Sequence, residues 1–153
     1  MGKLISSILI ANRGEIALRV IRACKEMKIK SIALYSDEDL RSKHVKSADE
    51  AYYLGPPAPT KSYLNIDKII EIAESAGAEA IHPGYGFLSE NETFAARCEE
   101  RGIIFIGPTS EAMGLTGDKM KCKEIMKKAE VPTIPGSDDI LEEVDKAVEI
   151  AQE

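Results

Sequence analysis

Short strand-like segments at residues 8–11 (ILIA, continuously apolar), 31–35 (SIALY) and 103–106 (IIFI) alternate with segments whose apolar residues recur every three to four positions. A continuous apolar run of this length suits a strand covered on both faces, and the 3.6-residue recurrence suits a helix with one buried face. Strands that alternate with helices through short connections cannot pair as hairpins. They form a parallel sheet with helices on both faces. The expected fold is therefore α/β, a Rossmann-like doubly wound parallel sheet.

Along the chain, the first helix follows Asn12-Arg13-Gly14 and places Ile16, Ala17, Val20, Ile21, Cys24 and Met27 on one apolar face. Residues 51–54 (AYYL) give a third strand. Pro56, Pro57 and Pro59 exclude a helix after it and call for an extended surface connection. Asn65 is placed to cap a helix through Ile66, Ile69, Ile70 and Ala73, and Gly77 to close it. Residues 78–82 form the next strand, and 92–101 a helix closed by Gly102. After Gly107-Pro108 the strands stop. Three helical segments follow, a short turn near 110–115, a helix over 118–129 and another from 141 to the end, with residues 131–137 (VPTIPGS) between the last two. The last helix meets Gln152-Glu153 with no Gly, Pro or capping residue, so the chain is expected to be cut within an element.

The segment 80–91 (AIHPGYGFLSEN) carries the chemistry. Pro83 fixes φ where the strand must stop, and Gly84 and Gly86 permit positive φ or close backbone approach. Ser89 to Glu92 reads as a capping box opening the next helix. A conformationally specified loop at the carboxyl end of a strand is where open α/β sheets bind ligands. The other glycine turn is a poorer phosphate site. The dinucleotide fingerprint needs three glycines, whereas Asn12-Arg13-Gly14-Glu15 has one, and Glu15 would repel a phosphate.

Composition excludes several classes of function. With 153 residues, 44% hydrophobic and 30% charged, the chain is an ordinary globular sequence long enough to bury a core. A net charge of −6, 5% aromatic residues and no Trp argue against nucleic acid and anionic membrane surfaces. No apolar run approaches a membrane span, and the N-terminus lacks the pattern of a signal peptide, which points to the cytoplasm. Cys24, Cys98 and Cys122 are far apart in helical segments and read as structural thiols. His44 and His82 are too few and too isolated for zinc, so no protein-only metal site is expected.

Residues 8–22 (ILIANRGEIALRVIR), 61–65 (KSYLN), 81–91 (IHPGYGFLSEN), 105–108 (FIGP) and Gly117-Asp118-Lys119 resemble the N-terminal region of biotin carboxylase, and the resemblance runs from about Ser7 to the last residue. The family includes the biotin carboxylase parts of acetyl-CoA, propionyl-CoA and pyruvate carboxylases. The resemblance implies an ATP-grasp ligase. In that family ATP and bicarbonate give carboxyphosphate, and the carboxyl group passes to N1 of biotin on a carrier protein. Residues 1–116 would be the pre-ATP-grasp domain, and 117–153 the start of an incomplete ATP-grasp region. Lys119 matches the lysine that contacts ATP, a compact ammonium suited to phosphate oxygens. His82, Tyr85 and Glu90 match the wall of the active-site cleft, Glu90 as a hydrogen-bonding or cation-pairing group and Tyr85 as a residue that flanks biotin or orders the loop. Arg22 and Glu26 match the two-fold dimer contact, so a homodimer is an expectation.

Family members continue well beyond this length. The later region carries the glycine-rich lid, a second ATP-binding lysine, the carboxylates that hold Mg2+, and the groups that hold bicarbonate and biotin. The cofactors and substrates implied for the parent enzyme are ATP, Mg2+ and biotin. The implied partners are a biotin carboxyl carrier protein or domain and a carboxyltransferase, which chooses the final acceptor. The isolated chain is expected to be inactive. Two other readings stay open: a short non-catalytic α/β module that pairs with a separate remainder or dimerises, and a different α/β nucleotide-binding ligase.

Overall fold

The fold was obtained as a computed structural model that describes residues 5–117 and 119–133, with positions 144 and 148. The chain divides into two compact units, Met1–Met113 and Gly114–Glu153.

In the first unit, five strands form one parallel sheet: β1 (Ser7–Ile10), β2 (Lys30–Ser36), β3 (Glu50–Gly55), β4 (Ala80–His82) and β5 (Ile104–Phe105). Their spatial order is β3-β2-β1-β4-β5. The chain winds outward from β1 to β3, then returns to place β4 on the other side of β1. The register pairs Leu9 with both Ile32 and Ile81, and Ile10 with both Ala33 and His82.

Side chains alternate across the sheet, and the two faces build two cores. Leu9, Ile32, Leu34 and Ile81 point to the face covered by α3 (Ile66–Ser75) and α4 (Glu92–Glu100), where they meet Ile69, Ile70, Phe94 and Cys98. Ile8, Ile10 and Ala80 point to the other face, against Ala17, Ile21 and Cys24 of α1 (Gly14–Met27). Helices on both faces confirm the α/β, doubly wound reading.

Local chemistry sets most boundaries as expected. The Asn65 side chain accepts from the Lys68 N–H and caps α3, and Gly77 at φ +65° follows its end. Four details differ from expectation. Met27 ends α1 at 68% exposure, on an open apolar groove rather than in the core. Residues 59–61 form a 3₁₀ turn, since Pro59 stands at its start where no N–H is needed. Asn91, not Ser89, caps α4: its Oδ1 accepts from the Phe94 N–H at 2.8 Å, while the Ser89 N–H is spent on Gly86 O inside the loop. The helical segment expected near 110–115 is longer than a short turn and forms α5 (Ser110–Gly117).

The β2–β3 connection holds a further helix, α2 (Lys43–Ser47), preceded by a 3₁₀ turn at Asp37–Asp39. In the second unit α6 spans Lys119–Lys128. The helix expected from residue 141 falls almost wholly outside the described residues. Cys24, Cys98 and Cys122 are free thiols in α1, α4 and α6, and burial pushes the Cys98 thiol up to about 12. Among the described residues no helix is long and apolar enough to cross a membrane.

Candidate functional site

The strand order reverses between β1 and β4, so the loops leaving their carboxyl ends diverge and leave a crevice, the usual ligand position in an open α/β sheet. Asn12 and Arg13 leave β1, and residues 83–91 leave β4. A cavity of about 380 Å3 lies here, lined by Asn12, Arg13, Gly14, Tyr85, Gly86 and Phe87 among others.

Asn12 holds the two loops together. It is 1% exposed, and Nδ2 donates to both Pro83 O and Tyr85 O at 2.8 Å, while Oδ1 accepts from the Arg13 N–H at 2.9 Å. One amide thus satisfies the carbonyls on either side of Gly84. Gly84 sits at φ +70°, and a Cβ there would come within 2.7 Å of Asn12 Nδ2 and 2.8 Å of Ile16 Cγ2. Glycine is required at that position by both conformation and space.

The far end of the loop is held by aromatic contacts. Phe87 has φ +44°, a strained conformation for a bulky residue. Its ring stacks on Tyr63, with centroids 5.1 Å apart and planes 14° from parallel. The Arg13 guanidinium lies 5.7 Å from each ring centroid, within cation–π range. Tyr63 is 1% exposed, and its hydroxyl donates to Asp39 Oδ2 at 2.8 Å. His44, fully buried, accepts from the Gly14 N–H on Nδ1 at 3.3 Å and donates from Nε2 to Leu34 O at 3.2 Å.

The residues singled out from sequence fall in different places. Tyr85 lines the cavity at 79% exposure, with its backbone anchored by Asn12. Glu90 is exposed at the end of the same loop. His82 is half-buried at the end of β4; its Nδ1 accepts from the Gly84 N–H at 3.0 Å, and burial lowers its pKa. It borders a second, apolar groove of about 640 Å3 on the α1 face, together with Arg19 and Met27. Arg22 and Glu26 are exposed on α1. Lys119 is the first residue of α6 in the second unit. Sequence reasoning missed Asn12, Arg13, Asp39, His44 and Tyr63 as parts of this site. A signal existed for Tyr63, a lone aromatic inside the 61–65 motif.

Comparison with known proteins gives one family. The biotin carboxylase N-terminal domain matches residues 4–113. The 2-oxoglutarate carboxylase small subunit of Hydrogenobacter thermophilus is 57% identical over 95% of this chain, and biotin carboxylase 1 of Bacillus subtilis is 50% identical over 98%. The chain spans 31% and 33% of those two proteins. Among solved structures, the biotin carboxylase domain dimer of the H. thermophilus 2-oxoglutarate carboxylase, in complex with MgADP, ADP and bicarbonate, superposes with a TM-score of 0.89 at 54% identity. That match covers 99% of this chain and 33% of the other.

Proposed function

The chain belongs to the biotin carboxylase N-terminal domain family, and we propose that it supplies the first part of an ATP-dependent biotin carboxylase. Such a ligase forms carboxyphosphate from ATP and bicarbonate and carboxylates biotin on a carrier protein. The observation that carries this reading is the locked loop at the carboxyl ends of β1 and β4, which presents Tyr85 to a cavity and carries Glu90, exposed, at its end.

Within that reading the chain's residues position substrates rather than break bonds. Tyr85 offers an exposed ring against the planar ureido ring of biotin, held by a backbone that Asn12 does not allow to drift. Glu90 is a carboxylate wall that orders a cation or accepts a hydrogen bond. His82 shapes the turn through the Gly84 N–H. Lys119 is proposed as the cation for the phosphates of ATP. Among the described residues no group of three or more His, Cys, Asp or Glu side chains gathers where Mg2+ could be held. The residues for Mg2+ and for most of the phosphate contacts are assigned to the remainder of the enzyme, and the isolated chain is proposed to be inactive. Arg22 and Glu26 on α1 are proposed to meet a second copy, and a carrier protein and a carboxyltransferase to complete the assembly.

The test is direct. Bicarbonate- and biotin-dependent ADP formation is measured with the 153-residue chain and with the polypeptide extended past its last residue. Turnover only in the extended protein is expected; an extended protein that binds biotin yet never consumes ATP would contradict the reading.

A further inference from the structure

Asp39 is 7% exposed, and the proposed reaction gives it no part. Its Oδ2 accepts from the Ser36 hydroxyl at 2.6 Å, the Tyr63 hydroxyl at 2.8 Å and the Ser36 N–H at 3.3 Å. Burial by itself would raise its pKa. The hydrogen bonds from Ser36 and Tyr63, with the charge on Arg13, outweigh burial and hold the carboxyl below its ordinary range. An ionised, buried acceptor of this kind fixes the direction of its donors.

The donor with consequences is Tyr63. Its ring is the surface on which Phe87 stacks, and Phe87 holds a backbone conformation that persists only where its surroundings over-determine it. Arg13, from the opposite loop, lies against both rings. Phe87 follows Tyr85 closely in the chain and shortly precedes Glu90. The loop is thus pinned twice, by Asn12 around Gly84 and by the Tyr63 ring at Phe87. The second pin is anchored through the Tyr63 hydroxyl, which donates to the Asp39 carboxylate of the β2–β3 connection at 2.8 Å and lies 3.2 Å from Leu34 O of β2.

We infer that Asp39 and Tyr63 are positioning residues: hydrogen-bonded to each other beneath the site, they fix Phe87 and through it the stance of Tyr85 and Glu90. The consequence for biotin rests on the reading of Tyr85 and Glu90 given above; the consequence for the loop does not.

Two variants keep shape while removing the link, Tyr63→Phe and Asp39→Asn. Amide hydrogen exchange in the 153-residue chain reads the loop. The Gly84 N–H, held on His82 Nδ1, and the Ser89 N–H, held on Gly86 O, report it; the Ala11 and Ile106 N–H groups, bonded to His82 O and Ile81 O, report the sheet. Both variants are expected to speed exchange at Gly84 and Ser89 by about fivefold relative to Ala11 and Ile106. Equal acceleration at all four, or none at Gly84 and Ser89, would overturn the inference, because the pair would then serve stability alone. In the extended enzyme the same variants should raise KM for biotin by about tenfold with KM for ATP unmoved, alongside Glu90→Gln as a reference. A biotin KM that responds to Glu90→Gln but to neither variant would overturn the positioning role and leave the site reading intact. Faster loop exchange with a biotin KM indifferent to all three would support the loop pin and overturn the site reading.

Discussion

The two faces of the sheet are built from the same strands but finished differently. On one, α3 and α4 cover Leu9, Ile32, Leu34 and Ile81, and Phe94 meets Phe105 edge-on at 5.8 Å. On the other, α1 covers Ile8, Ile10 and Ala80 but leaves the β5 side open as a groove, and Met27 projects into water. The closed face also receives Tyr63, Leu88 and Phe87, so the loop that carries Tyr85 and Glu90 is rooted in it. Both faces bury a core, but the loop is rooted in the closed one, whereas the α1 face keeps an open apolar groove beside its core.

The largest effect should come from emptying the closed face. Phe94→Ala removes a fully buried ring and should cost about 3–5 kcal/mol in urea unfolding. A cost below about 1 kcal/mol would mean that this core is loosely packed. Next comes the loop. Gly84→Ala combines positive φ with close contacts to Asn12 and Ile16 and should cost about 2–3 kcal/mol. Gly14→Ala, at φ +62° with nothing within 4 Å, should cost only about 1 kcal/mol. Equal costs at the two glycines would show that the Asn12 contact does not constrain the loop.

Acid should act through the closed face as well. The Asp39 carboxyl titrates below its ordinary value of about 3.8, so its contribution is present at neutral pH and is lost as pH falls through the lowered pKa. Asp39→Asn should therefore be less stable than the parent chain at pH ~7, and the gap should close below about pH 4 in thermal unfolding. A gap independent of pH would assign the loss to shape rather than charge. The smallest effect belongs to the open face: Met27→Ala should stay within about 0.5 kcal/mol of the parent.

What was legible in the sequence follows from how far each signal reaches. Strands and helices were read from local periodicity, and the Asn65 cap and Gly77 closure from interactions between near neighbours in the chain. The loop at Gly84 and Gly86 was also visible, because both glycines do adopt positive φ. The partners that hold the loop were not visible. Asn12 reaches Pro83 across 71 positions, and Tyr63 reaches Asp39 across 24. Such pairings depend on strand order, which periodicity does not encode. In the sequence His44 is only an isolated histidine, too far from others to bind zinc, yet in the fold it joins Gly14 to Leu34. Met27 misled for the opposite reason: its spacing is that of a core residue, but it stands at the last position of α1, on an open groove.

The central claim is that the loop at the β1–β4 reversal faces biotin, and one measurement addresses it most directly. Biotin-dependent ADP formation is compared between the extended enzyme and its Glu90→Gln variant, at saturating ATP and bicarbonate. The account predicts that the variant loses at least about tenfold in kcat/KM for biotin, the size expected when one charged contact to substrate or its neighbours is removed. Unchanged kcat/KM would contradict the assignment of this loop to the site.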